Sequence, residues 1–168
     1  MVKNSDLIGK PAPSLELPSI PNGELLKLPI GEKPIALFFF PAANTMGCTM
    51  EACSFRDAQA QNIVFKRNPE LAVIGVSGDP TAKQQSFADQ YKLSYPILSD
   101  TDNKARQAYG VGKSFFGLSA GRETFFIDKQ GIVRGVCDKS IDVKYVKFGL
   151  FILTLVFAHG ALKDRIVR

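Results

Sequence analysis

Eight residues restrict the fold more than any others. Pro34 to Pro41 reads PIALFFFP, a continuous apolar run bracketed by two prolines. A strand with one face in water alternates apolar and polar side chains, whereas an unbroken run this short belongs to a strand covered on both faces. The stretch is therefore read as a buried central strand. Everything after it must supply neighbours for that strand and layers above and below it.

The rest of the chain supplies them. Residues 47 to about 66 turn helical, and LAVIGVSGD (Leu71 to Asp79) is a second buried strand. TAKQQSFADQY (Thr81 to Tyr91) reads as a helix, YPILSD as a short strand, and NKARQAYGV as a helix closing at Gly110, a residue suited to a left-handed cap. ETFFID and IVRGVCD are two strands joined by KQG, a hairpin loop ending in glycine. Ahead of all this, GKPAPSLELPSIPNGELLKLPI is punctuated by Pro and Gly and reads as an N-terminal hairpin. The expected fold class is α/β: a central mixed β-sheet that begins parallel and ends antiparallel, flanked by helices, in a thioredoxin-like arrangement. At 168 residues one domain is expected.

The segment after the central strand, ANTMGCTMEACSFRD (Ala43 to Asp57), carries two of the three cysteines, Cys48 and Cys53. Cys48 falls at the start of the helix, where unpaired backbone N–H groups and the positive end of the helix dipole stabilise a thiolate. An ordinary thiol is only about 3% thiolate at pH 7. Thr45, three residues earlier, is placed to cap the helix or to turn its hydroxyl toward the sulfur. A lone cysteine here would read as a buried structural thiol; the second cysteine moves the reading toward redox chemistry.

The spacing is informative. Five residues along a helix give roughly 7.5 Å of rise and about 140° of rotation, hence a Cα separation of roughly 8.6 Å. A disulfide tolerates at most about 6.8 Å. The two sulfurs cannot join while the helix is intact, so the pair reads as a switch between a reduced helical form and an oxidised, locally unwound one. A thiolate oxidised to a sulfenic acid and then captured by a second thiol follows this sequence, and the oxidant that makes a sulfenic acid is a peroxide. Such chemistry needs a cation to hold the peroxide oxygens, and Arg122 in GRETFFID, just before a buried strand, is the candidate.

Composition narrows the remaining classes. The charge of +5 comes from Lys and Arg spread along the chain, which reads as a solvated surface and not a nucleic-acid site. His159 is the only histidine, so a Cys/His zinc site and a Cys–His nucleophile pair are disfavoured, and neither metal nor cofactor is expected. The opening MVKNSDLIGKPAPSLEL lacks the apolar core of a secretory signal. A reducing, cytoplasmic setting is expected, with nuclear and organellar compartments left open.

FFFPAANTMGCTMEACSFRD resembles the active-site segment of peroxiredoxins, with Pro41, Thr45 and Cys48 matching the pattern P-x-x-x-T-x-x-C. The second cysteine five residues on is similar to the peroxiredoxin Q / bacterioferritin comigratory protein subfamily. VIGVSGD, YPILSD and GRETFFIDKQGIVR are similar to later family segments, so the likeness runs from about residue 7 to residue 136. The resemblance implies a thiol peroxidase acting on hydrogen peroxide or alkyl hydroperoxides. Cys48 would be the peroxidatic and Cys53 the resolving cysteine, their disulfide being reduced by thioredoxin or a similar dithiol. Thr45 and Arg122 would bind the peroxide and activate the thiolate, and Pro41 would shield the site. Glu51 matches a frequent family glutamate, although a helix-surface carboxylate explains it equally well. Arg56 and Asp57 read as helix structure. A monomer or weak dimer is expected.

Two departures accompany the match. Met46 stands where the subfamily usually has proline. After Asp138 the likeness fades, giving a domain over 1–138 and a divergent apolar segment over 139–168, expected to be helical and part of the same domain. FGLFILTLVFAHGAL (Phe148 to Leu162) has fifteen residues without a formal charge, short of the roughly 20 that span a bilayer, so packing on the sheet is favoured over an interface or a membrane. Cys137 reads as a partly buried strand thiol. The alternatives are a redox sensor or thiol relay with little peroxide turnover, and an isoform impaired by its altered C-terminus.

Overall fold

The apolar run forms the middle of the sheet. In a computed structural model, which describes residues 3–114 and 119–137, Ile35–Phe39 is strand β3 and every one of its residues is buried. Before it come a 3-10 turn at Asn4–Leu7 and a hairpin of β1 (Glu16–Pro18) with β2 (Leu25–Lys27). After it come α1 (Met46–Gln61), α2 (Ile63–Arg67), β4 (Ala72–Ser77), α3 (Thr81–Tyr91), β5 (Ile97–Ser99) and α4 (Lys104–Ala108). A two-residue ladder, β6 (Lys113–Ser114) with β7 (Ser119–Ala120), precedes β8 (Glu123–Ile127) and β9 (Val133–Cys137).

The main sheet has the order β5-β4-β3-β8-β9. β3, β4 and β5 run parallel, and β8 and β9 are antiparallel to their neighbours, as the alternation of helices and the final hairpin require. Because side chains alternate across a strand, β3 serves two cores. Phe38 and Phe40 face the layer holding Cys48, Ala52 and Phe55 of α1 and Phe87 of α3. Ile35, Leu37 and Phe39 face Ala105 and Tyr109 of the α4 region and Leu7, Leu15 and Leu28 of the N-terminal segment. Phe38 stacks on Phe55 with ring centroids 4.6 Å apart, which fixes α1 over the centre of the sheet.

Two local expectations change. The helical stretch to about residue 66 is divided: Asn62 is extended at φ −79°, ψ 136°, and its side chain accepts a hydrogen bond from the N–H of Val64 at 2.8 Å. Asparagine offers the backbone this alternative to continuing the helix, so α1 stops and α2 restarts. The β6–β7 ladder has no counterpart in the sequence reading; two-residue strands carry no periodicity. Gly110 is left-handed at φ 64°, as expected of a closing residue. Asp138 and the apolar segment over 139–168, with the domain boundary assigned there, lie outside the described residues.

Candidate functional site

The site forms where β3 delivers the chain to α1. After Phe40 the backbone passes through Pro41 and Asn44, which is left-handed at φ 66°. This loop is held from below by Asp79, just past β4. The Asp79 carboxylate accepts the N–H of Ala43 at 2.7 Å and the Ser77 hydroxyl at 3.0 Å, and pairs with Lys83 at 2.6 Å. A carboxylate that accepts several donors in a buried setting fixes the loop firmly.

The first intrahelical bond of α1 runs from the N–H of Thr49 to the carbonyl of Thr45 at 2.9 Å. Cys48 precedes it in the first turn, the stretch of helix whose N–H groups lack helical acceptors, and is completely buried in the layer with Phe38, Phe40 and Phe55. The Arg122 guanidinium lies against the same turn. A Cβ built on Gly47 would meet Arg122 Nη2 at 2.9 Å. On its other side Arg122 Nη1 donates to Glu51 Oε2 at 3.3 Å, with the two side chains 16% and 9% exposed. Burial pushes the Glu51 carboxyl up to about 7, with Arg122 opposing the rise. Glu51 is thus an enclosed partner of Arg122, and the helix-surface alternative is corrected.

Thr45 occupies the N-cap position, but its hydroxyl makes no cap bond; it donates to the carbonyl of Ala42 at 3.2 Å. The hydroxyl ties the loop instead of the helix end. Pro41 is half-buried at the end of β3. The structure therefore brings Cys48, Glu51 and Arg122 together at the head of α1, with Pro41 and Thr45 on the loop leading in.

Cys53 is elsewhere. It lies on the same uninterrupted α1, both thiols reduced, half-buried toward the segment 91–95. There the Tyr95 hydroxyl donates to the carbonyl of Ala52 at 2.8 Å and Arg56 Nη1 donates to the carbonyl of Tyr91 at 2.5 Å. Burial raises the Tyr95 phenol well above its ordinary range, with Cys53 and Glu51 adding to the effect. From Ala52 onward α1 is tied down, whereas its first turns are held mainly through the buried Cys48 and the Glu51–Arg122 pair. Cys137 is the last residue of β9, half-buried opposite Thr124.

Four residues escaped the sequence reading. Asp79 lies just beyond the C-terminal end of a buried parallel strand, a position that favours site residues in open α/β sheets, so a signal existed. Gly47 and Tyr95 gave none. Arg106 sat within an ordinary short helix, yet it is buried, with Nη2 donating to the Phe40 carbonyl at 2.6 Å and Nη1 to the Gly121 carbonyl at 3.0 Å. Among the described residues no group of three His, Cys, Asp or Glu side chains is placed to hold a metal ion. Nor is any helix among them long and apolar enough to cross a membrane.

Residues 8–136 match the AhpC/TSA family. The chain is 43% identical over 102 residues to the chloroplastic peroxiredoxin Q of Sedum lineare, covering 61% of this chain and 53% of that protein. It is 46% identical over 98 residues to the chloroplastic peroxiredoxin Q of Arabidopsis thaliana, covering 58% and 44%. The match spans about half the length of these curated relatives. Among solved structures, peroxidoxin BcpB from Mycobacterium tuberculosis superposes with a TM-score of 0.76 at 32% identity, over 89% of this chain and 97% of that one.

Proposed function

Because the chain belongs to the AhpC/TSA family, on its peroxiredoxin Q / bacterioferritin comigratory branch, we propose that it is a thiol-dependent peroxidase using Cys48 and Cys53. The observation that carries the reading is the buried Cys48 in the first turn of α1 with the Arg122 guanidinium laid against Gly47 beside it.

The Cys48 thiolate attacks one oxygen of hydrogen peroxide or an alkyl hydroperoxide. An S–O bond forms as the O–O bond breaks, and the leaving hydroxide or alkoxide takes up a proton to depart as water or alcohol. Arg122 donates to the peroxide oxygens as charge develops on the leaving one, and Glu51 fixes its direction. Pro41 and Thr45 shape the entry. The first turns of α1 then open, the Cys53 sulfur attacks the sulfenic sulfur of Cys48, and water leaves as the disulfide forms. Thioredoxin or a similar dithiol returns both thiols. The domain runs over 1–138, with the divergent apolar segment 139–168 counted as part of it, and the chain acts as a monomer or weak dimer. Its compartment is cytoplasmic or organellar, and the chloroplastic designation of the relatives supports the second.

The test is thioredoxin-coupled NADPH consumption with hydrogen peroxide. Turnover is expected from the wild type and not from Cys48→Ser; equal rates in the two would end the peroxidase reading. In Cys53→Ser, mass spectrometry is expected to show Cys48 sulfenic or overoxidised after peroxide, with no recycling by thioredoxin. An unmodified Cys48 would contradict the assignment.

A further inference from the structure

Two peptide segments must be held in register for the site to work: the one that leads into Pro41 and the one that leads into Arg122. A single side chain reaches both. Arg106 donates to the carbonyl of Phe40, the residue before Pro41, and to the carbonyl of Gly121, the residue before Arg122. We propose that Arg106 is a positioning residue for the peroxide site, a buried fork that fixes Arg122 relative to Cys48. The proposal rests on Cys48 being the reacting thiol.

The surroundings support a device built for position. The backbone N–H groups of Ala105 and Arg106 donate to the Asp100 carboxylate at 2.9 and 3.0 Å, so the short helix carrying Arg106 is itself pinned. The guanidinium carbon lies 5.8 Å from the Phe39 ring centroid, stacked against the strand whose end it holds. At the far carbonyl, the Gly121 N–H donates to Gly112 at 2.8 Å, and a Cβ at Gly121 would strike that carbonyl oxygen at 2.5 Å. The peptide before Arg122 therefore has little freedom once Arg106 binds it. Arginine suits the role because its planar guanidinium offers donors in a fixed fork, which lysine does not.

Burial depresses the Arg106 guanidinium, and the carboxylates around it, Asp100 foremost, oppose that effect.

Arg106→Lys and Arg106→Gln each keep a donor and lose the fork. Two quantities are read on the full-length chain: the rate of Cys48 oxidation by one equivalent of hydrogen peroxide, and the rate of Cys48 alkylation by iodoacetamide, a reagent that needs no arginine to hold it, each followed by peptide mass spectrometry. In Arg106→Lys oxidation is expected to slow at least fivefold while alkylation keeps its rate. A residue that only stabilises the fold would lower the melting temperature and leave the ratio of the two rates where it was. Wild-type oxidation by folded Arg106→Lys, or an equal slowing of both reactions, would overturn the proposal. Should Arg106→Lys fail to fold, Arg106→Gln decides the fork by the same two rates. Should wild-type Cys48 itself resist peroxide, the peroxidase reading fails; a wild type that reacts beside a variant that reacts equally well sinks only the role of Arg106.

Discussion

Replacing Gly47 by alanine should move stability and activity in opposite directions. In the first turns of α1, alanine is a better helix former than glycine by up to about 1 kcal/mol. For a chain of this size that corresponds to a melting temperature roughly 2–4 °C higher. The added methyl, however, would sit 2.9 Å from Arg122 Nη2, 3.3 Å from its guanidinium carbon and 3.5 Å from Nη1. Ordinary contact begins near 3.4 Å, so the guanidinium must retreat by about 0.5 Å. The move costs little in stability, because the clash meets the end of a flexible side chain. It costs more in catalysis, since a displacement of about 1 Å in a reacting geometry is worth on the order of 100-fold. Half that displacement gives an expected loss of about tenfold in the rate of Cys48 oxidation. The assay pairs a thermal melt with stopped-flow oxidation by hydrogen peroxide. A variant as stable as the wild type that keeps its full rate would show that Arg122 has no need to lie on the helix, and the placement argument would fall.

Glu51→Gln tests the buried carboxyl. Its value of about 7 in the fold against 4.5 ordinarily means that the folded chain holds this proton more tightly than the unfolded one. The stabilisation is complete below about 4.5 and is lost as pH rises through 7, a span equivalent to about 3 kcal/mol. The neutral glutamine should therefore melt higher than the wild type at pH 8 and lose that advantage below pH 4.5; parallel melting curves across this range would refute the assignment. Tyr95→Phe removes the hydroxyl bond to Ala52, worth about 1 kcal/mol, and so lets the opening of α1 extend past its first turns into the tied-down part that carries Cys53. The first oxidation should be unchanged, while the peroxide dose that overoxidises half of Cys48 should rise roughly fivefold by mass spectrometry, and an unchanged dose would remove Tyr95 from the opening step.

The sheet was legible because its strands carry their burial in their composition. PIALFFFP, LAVIGVSGD and ETFFID are apolar on both faces, and only covered strands can be. The head of α1 was legible for a different reason: Cys48, Thr45 and Pro41 form a local pattern, and Arg122 stands at the start of a buried strand. What escaped notice depends on distant pairings. Asn62 breaks the helix through a two-residue side-chain bond that composition does not reveal. Arg106 reads as a surface residue of a short helix until β3 and the turn before β8 bring two carbonyls to it, 66 and 15 residues away in sequence. Thr45 shows the converse, a preferred capping residue whose hydroxyl finds a loop carbonyl first.

The N-terminal segment touches the main sheet at both margins. Ser19 bridges to Leu98 on β5, and the Ile20 N–H donates to the Ile97 carbonyl at 3.2 Å. Pro11 bridges to Ile132 beside β9, where Gly9 and Lys10 exchange backbone bonds with Val133 at 2.8 and 3.0 Å. A sheet edge left bare invites another chain to add a strand. In the cycle proposed above, unwinding α1 would bare apolar surface at each turnover. The strap made by residues 9–20 occupies backbone groups on both outer strands, which leaves those edges less room to recruit a second molecule.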